Sequence, residues 1–392
     1  MEIAFAAVTS LYGRPLVFLQ FVMTEVPPNR TDVGAKMMTA RPTPQNHAAP
    51  NGGWTSAAQN PSAAPPVPTT STGIEIAGFQ KGDTLGEWVV EKKLGEGGFG
   101  AVYQVVDAKG NVYALKVEKA NEVVKVLKME VFVLTELKQA GCRHFCDIID
   151  RGRIANFNYV VMTLVGPSLQ ELRKQYGDLT RQKLSMGCAL SIGIKCVEAI
   201  EELHGVGYLH RDIKPGNYAI GRREVRRIYL LDFGMARKYR ESDGQIRRPR
   251  WAAGFRGTVR YAPISCHISR EQARKDDLET WLYMQIELTR GALPWKHLED
   301  KDEVGRYKER CRHEAWKELF GGCPKEYIEI LEYLDNLGYY AAPDYNKVRQ
   351  WLRTAMEVNH VNDAVYDWEN ALGPTPLGSA HVRQLPTQPQ KK

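Results

Sequence analysis

The hydrophobic period of this chain changes near residue 168, and that change limits the fold more than any single motif. Before it, alternating and β-branched runs read as strands joined by tight turns: WVVEKKLG at 88–95, AVYQVVDA at 101–108, NVYALKVE at 111–118 and FNYVVMTL at 157–164. One stretch interrupts them, EVVKVLKMEVFVLTELKQ at 122–139, where Val124, Leu127, Val131 and Leu134 recur at helical spacing. From Ser168 onward the helical period dominates, in SLQELRKQY, LSIGIKCVEAIEELHGVG, KDDLETWLYMQIELTRG and KEYIEILEYLDNLGY. A small sheet-rich part followed by a larger helical one predicts an α+β domain of two lobes.

At 392 residues the chain is long for one average domain but fits a two-lobed unit with unstructured ends. Apolar residues at 43% and charged ones at 25% argue against collagenous, wholly disordered and multi-span membrane classes. Thr24–Thr72 is rich in Pro, Ala, Thr, Asn and Gly and reads as a flexible leader, and the tail after Gly373 has the same character. The expected organisation is an extension over 1–78, a domain over 79–370 with lobes at 79–164 and 165–370, and a tail over 371–392. The apolar N-terminus is cut by Arg14 and Pro15 into runs too short for a span of about 20 residues, and Glu2 stands where a signal peptide carries basic charge. Neither a membrane span nor secretion is expected; translation starting at Met23 explains the segment more simply.

Seven cysteines without small-domain spacing point to reduced thiols and hence to the cytoplasm or nucleus. Cys142, His144 and Cys146 have metal-like spacing, but no second Cys/His pair lies nearby in sequence, and GCRHFCDIID reads as a half-buried strand. The net charge of +7 is modest and its basic residues cluster locally, which favours an acidic or phosphorylated protein over nucleic acid as partner. A monomer is expected.

LGEGGFGAVYQV places Gly95, Gly97 and Gly100 in a G-x-G-x-x-G pattern that continues into a strand, as in a loop folded over a nucleotide rather than a dinucleotide fold. Lys116 lies inside the apolar strand YALKVE, where an unpaired ammonium would be costly, so phosphates and a carboxylate are its expected partners. Glu130 is preferred to Glu122 and Glu136 because apolar neighbours turn its helical face inward. HRDIKPGN then brings Asp212, Lys214 and Asn217 onto one loop, and YLLDFG sets Asp232 at the end of an apolar run. Moving a γ-phosphoryl group needs a carboxylate at the acceptor hydroxyl, metal ligands and a cation along the path, which these four supply in order.

These motifs resemble the eukaryotic protein kinases and, within them, the casein kinase I superfamily, closest to the tau-tubulin kinases. The narrower resemblance rests on FNYVVMTLVGPSLQELR, GYLHRDIKPGN, LLDFGMARKY, RRPRWAAGFRGTVRYA, KDDLETWLYMQIELTRGALPWK, APDYNKVRQWL and VYDWE. It implies ATP bound with Mg2+ between the lobes, with Gly95, Gly97, Gly100, Val102, Ala114 and Lys116 at the nucleotide, Glu130 orienting the lysine, Met162 as gatekeeper and Thr163, Leu164 and Val165 as the hinge. It also implies Asp212 and Lys214 as the catalytic pair of a serine/threonine enzyme, Asn217 and Asp232 as magnesium ligands, Arg256, Thr258 and Arg260 at the protein substrate, and Asp277 anchoring the catalytic loop. Ala262–Ser265 follows neither the A-P-E of most kinases nor the Ser-Ile-Asn-like stretch of the superfamily. Gly216 also replaces a commonly polar residue, though not at a ligand position.

Between Arg237 and Arg260 eight Lys/Arg face only Glu241 and Asp243, so the substrate is expected to be acidic or already phosphorylated, with Lys301 a candidate partner of Arg260. The hydroxyls ahead of the GT element, Tyr239 and Ser242, come early, so activity is expected without activation-loop phosphorylation. Resemblance to tau-tubulin kinases makes cytoskeletal substrates conceivable. A pseudokinase-like scaffold is the alternative, and the intact catalytic set argues against it; a small-molecule kinase is disfavoured by the complete docking segment.

Overall fold

The computed structural model describes residues 78–97, 100–121, 126–361 and 365–372, together with two short strands near the N-terminus. The chain divides into two units, Met1–Thr69 and Thr70–Lys392. In the first, β1 (Val8–Thr9) pairs antiparallel with β2 (Pro15–Leu16). The leader over Thr24–Thr72 and the tail from Gly373 lie outside the described residues.

In the second unit, six antiparallel strands form one sheet in the order β3 (Thr84–Leu85), β4 (Trp88–Gly97), β5 (Gly100–Val106), β6 (Val112–Lys119), β8 (Phe157–Thr163) and β7 (Ile148–Ile154). The two-residue alternation of the strands has a direct consequence. Ala101, Tyr103, Val105, Leu115 and Val117 face one core with Leu85, Trp88 and Phe157, while Val102, Ala114 and Met162 join another with Leu127, Cys146 and Tyr229. Helix α1 (Val126–Gln139) packs on β6, β7 and β8 and buries Leu127, Glu130 and Leu134.

The half-buried strand expected across GCRHFCDIID begins only at Ile148. Gly141, at φ +71°, ends α1, and Cys142 N donates back to Leu137 O at 3.1 Å, so Cys142–Cys146 belong to the turn that follows the helix. His144 faces two carboxylates of the helical part, with Nδ1 3.0 Å from Glu202 Oε2 and Nε2 3.7 Å from Glu198 Oε2.

The change of period at residue 168 is a helix start. Ser168 caps α2 (Leu169–Tyr176): its Oγ accepts from Glu171 N, and the Glu171 carboxylate takes Ser168 N at 2.8 Å. Then come α3 (Met186–Gly205), β9 (Tyr208–Leu209), β10 (Tyr218–Ile220), β11 (Ile228–Leu230), β12 (Arg237–Lys238), α4 (Ile264–His267) and α5 (Arg274–Arg290). The short strands pair as β9 with β12 and β10 with β11, fixing the loops between them. Helix α5 is buried on nearly every side, carboxylates included, and packs on α3 and on the helix over Glu326–Asp335. The lobe closes with α6 (Lys301–Arg310), α7 (Trp316–Phe320), α8 (Glu326–Asp335), α9 (Tyr345–Val358) and α10 (Glu369–Leu372). Among the described residues no helix is long and apolar enough to cross a membrane.

Candidate active site

Strands β4 and β5 form a hairpin whose last described pair is Gly97 opposite Gly100. A Cβ on Gly100 would stand 1.9 Å from Val117 O, so packing alone demands glycine there. Among the described residues nothing lies within 4 Å of a Cβ at Gly95 or Gly97, so no described neighbour requires glycine there. Next to this hairpin, Lys116 Nζ on β6 lies 2.6 Å from Glu130 Oε2 on α1 and 3.6 Å from Asp232 Oδ1 beyond β11. Burial works against the Lys116 ammonium, but the two carboxylates outweigh it and raise its pKa. The competing Glu136 is engaged elsewhere, by Lys238 at 3.0 Å and by the Tyr208 hydroxyl at 2.8 Å; Glu122 lies outside the described residues.

Val102 lies opposite Lys116, and Ala114 opposite Met162, which lines up the expected nucleotide-facing residues by register. At the hinge, Thr163 Oγ1 accepts from Asp147 N at 3.1 Å and Gly166 N donates to Ile220 O at 2.7 Å. Among the described residues the peptide groups of Leu164 and Val165 between these anchors have no hydrogen-bond partner, which leaves them open to a ligand.

The catalytic-loop candidates converge. Asp212 is buried; its Oδ2 accepts from Lys214 Nζ at 2.6 Å, and its Oδ1 accepts from Thr258 N at 2.8 Å and Thr258 Oγ1 at 2.7 Å. Lys214 Nζ also donates to Thr258 Oγ1 at 3.2 Å, so loop and substrate-side segment form one network. Asn217 Nδ2 donates to Asp212 O at 2.9 Å, tying Asn217 to the loop. Asp277 on α5 holds the loop from below, accepting from His210 N at 2.7 Å, Arg211 N at 2.8 Å and His204 Nε2 at 2.9 Å. Burial pushes the Asp277 carboxyl up, but these donors outweigh it and hold its pKa low.

Asp232 has φ +65°, a left-handed conformation costly for a non-glycine residue, and Gly234 N donates to its Oδ1 at 3.3 Å. Its pKa is lowered: burial raises it, and the charge of Lys116 together with the Gly234 amide more than compensates. The next residue, Phe233, is buried between Phe145 and His210, with ring centroids at 5.8 and 5.5 Å. That packing aims Asp232 at Lys116.

On the substrate side, Arg256 is exposed and its guanidinium donates to Phe255 O at 3.2 Å. Arg260 Nη1 lies 3.4 Å from Glu287 Oε1, and Arg173 Nη1 3.2 Å from Glu287 Oε2. A cavity of about 720 Å³ opens there, lined by Arg173, Arg181, Lys183, Arg260, Arg290 and Lys296. The expected partner Lys301 is not among its lining residues; it pairs with Asp302 at 3.2 Å at the start of α6. Lys296, which the sequence reading passed over, takes that place, its carbonyl 3.4 Å from Arg260 Nη2.

Residues 88–333 match the protein kinase domain family. The chain belongs to this family. Kinase relatives include a probable serine/threonine-protein kinase of Dictyostelium discoideum, 37% identical over 76% of this chain and 59% of its own length. Serine/threonine-protein kinase spe-6 of Caenorhabditis elegans is 37% identical over 76% of this chain and 80% of its own. Casein kinase I homolog 3 of Schizosaccharomyces pombe is 34% identical over 76% of this chain and 67% of its own. The kinase is therefore a serine/threonine protein kinase of the casein kinase I superfamily, with the bilobal fold and, by family, ATP as phosphoryl donor.

Sequence reasoning missed two carboxylates of this kinase. Glu287 holds Arg173 and Arg260, and Glu271 receives Arg237 Nε at 3.4 Å and Arg250 Nη2 at 3.1 Å. Both lie far in sequence from their partners, and no local motif marks them.

Proposed function

We propose that this kinase transfers the γ-phosphoryl group of Mg2+-ATP to protein serine or threonine through Asp212, Lys214, Asn217 and Asp232. One observation carries the assignment: Lys116, Glu130 and Asp232, from a strand, a helix and a loop far apart in sequence, meet within 3.6 Å. Lys116, kept charged by the two carboxylates, grips the nucleotide phosphates. Asp212, held at both oxygens, orients the acceptor hydroxyl and takes its proton, while Lys214 stands beside the path of transfer. The amide oxygen of Asn217 and the carboxylate of Asp232 are hard donors of the kind Mg2+ takes, and they would hold it. Bound there, the ion neutralises phosphate charge.

The test is transfer from Mg2+-ATP to an acidic serine/threonine protein, comparing wild type with Asp232→Asn and Lys116→Met. Each variant is expected to lose about a hundredfold or more in rate. Undiminished transfer in the variants would remove these residues from the chemistry; wild type that binds ATP without transfer would support a scaffold instead.

The same reading makes the substrate acidic or already phosphorylated, which the basic cavity at Arg260 supports. It also makes activation-loop phosphorylation unnecessary. Tyr239 is buried, its hydroxyl donating to His204 O at 2.7 Å, and Glu271 already supplies a buried anion to Arg237 and Arg250. The resemblance of RRPRWAAGFRGTVRYA to tau-tubulin kinases makes cytoskeletal proteins in the cytoplasm or nucleus the first substrates to try, with the enzyme acting as a monomer.

A further inference from the structure

Helix α6 is mostly solvated: of its 10 residues Val304, Gly305 and Lys308 are buried. A fully buried lysine without a carboxylate partner is unusual, because removing an ammonium from water is costly unless every N–H is taken. Here all three are. Lys308 Nζ donates to Val259 O at 2.8 Å and Ala262 O at 2.7 Å, and lies 3.0 Å from His267 Nε2. His267 Nδ1 faces Lys301 O at 2.7 Å, which makes Nδ1 the donor and leaves Nε2 as acceptor for Lys308. The rings of Tyr283 and Trp295 cover the ammonium at 5.0 and 5.3 Å. One turn earlier, a Cβ at Gly305 would come within 3.0 Å of His267 Cβ, so α6 approaches this close only because residue 305 is glycine.

The two carbonyls held by Lys308 bracket Arg260 and Tyr261. Trp295 Nε1 takes the Arg260 carbonyl between them at 2.8 Å, and Thr258 O accepts from Tyr261 N and Ala262 N at 2.9 Å each. The corner that leads from Thr258, itself bound to Asp212, to α4 is thus pinned carbonyl by carbonyl from the helical lobe. Just past it, where most kinases of this fold carry a glutamate, Ile264 and Ser265 follow, and Ile264 N is taken by Glu279 Oε1 at 3.0 Å.

We infer that Lys308 is a positioning residue for protein substrate: by fixing the carbonyls of Val259 and Ala262 it sets where Arg260 and Thr258 meet the incoming chain. This rests on the protein kinase reading and extends it to a residue that touches neither nucleotide nor acceptor. His267 serves as the third leg of the tripod.

The experiment measures KM for a protein substrate, KM for ATP and thermal stability in wild type, Lys308→Met, Lys308→Gln and His267→Ala. In Lys308→Met the protein KM should rise about tenfold or more with the ATP KM unchanged, since two backbone carbonyls lose their N–H donors. Lys308→Gln, which keeps two N–H groups, should recover part of the loss, and His267→Ala should fall between it and wild type. If Lys308→Met does not fold, the other two variants are read by the same criterion. A protein KM unchanged, or one that rises only in step with the ATP KM, overturns the inference; wild type that transfers nothing to protein indicts the kinase reading instead.

Discussion

Two glycines of the same motif do different work. Gly100 is required by its neighbours, since any side chain would strike Val117 O, whereas Gly95 faces open space among the described residues. Gly100→Ala should therefore lower Tm by several degrees, while Gly95→Ala should leave Tm unchanged and raise KM for ATP severalfold, as a methyl intrudes where phosphate must approach. Thermal melts beside ATP titrations separate the two, and equal behaviour of both variants would refute the distinction. Arg211 and Asp232, at φ +67° and +65°, hold left-handed conformations, the one beside Asp212 and the other at the position proposed to hold Mg2+. Asp277 compensates at the first by binding the amides of His210 and Arg211; Phe233 packing and the Gly234 amide compensate at the second. Burial, followed by the charge of Arg237, also pulls the Arg211 pKa down to about 10, so its guanidinium gains from nearby Glu271.

At the scale of elements, the segment between β12 and α4 is braced by an internal carboxylate. Glu271, buried just before α5, draws in Arg237 from β12 and Arg250 from the loop, and their charges outweigh burial to keep its pKa low. Glu271→Gln keeps the shape and removes the charge. Its kcat should fall about tenfold with KM for ATP unchanged, and limited proteolysis between Arg237 and Arg260 should quicken, since hydrogen bonds to charged groups are each worth about 1.5–3 kcal/mol. Full activity with unaltered proteolysis would exclude the brace. The same scale shows why the strand expected at Cys142 failed: alternation continued across the turn, but Gly141 closes α1, Cys142 N donates back to Leu137 O and the amides of Arg143 and His144 donate to Glu202. Helix α6 escaped notice for the opposite reason, since its buried face consists of Val304, Gly305 and Lys308 and has almost no apolar period.

At the scale of the molecule, the basic cavity and the Arg237–Arg260 segment present an excess of positive charge to a substrate on the helical lobe, with Glu287, Glu241 and Asp243 offsetting part of it. KM for an acidic protein should rise severalfold between about 50 and 200 mM salt, where the screening length shrinks toward about 8 Å. Substitution of both Arg260 and Lys296 by Gln should flatten that dependence, and a salt response unchanged by the substitutions would dissociate the cavity from substrate binding. The sequence alone determined the order of sheet and helix and singled out Lys116, Glu130, Asp212 and Asp232, because period and motif spacing are local properties of a chain; the common face of Val102, Ala114 and Met162 came from the register of the sheet. Only the tertiary structure decided that Glu287 and Glu271 neutralise distant arginines, that Lys296 rather than Lys301 joins Arg260, and that Lys308 is buried at all. Those outcomes depend on which polar groups meet once water has been excluded, and partners tens of residues apart leave no periodic trace in the chain that encodes them.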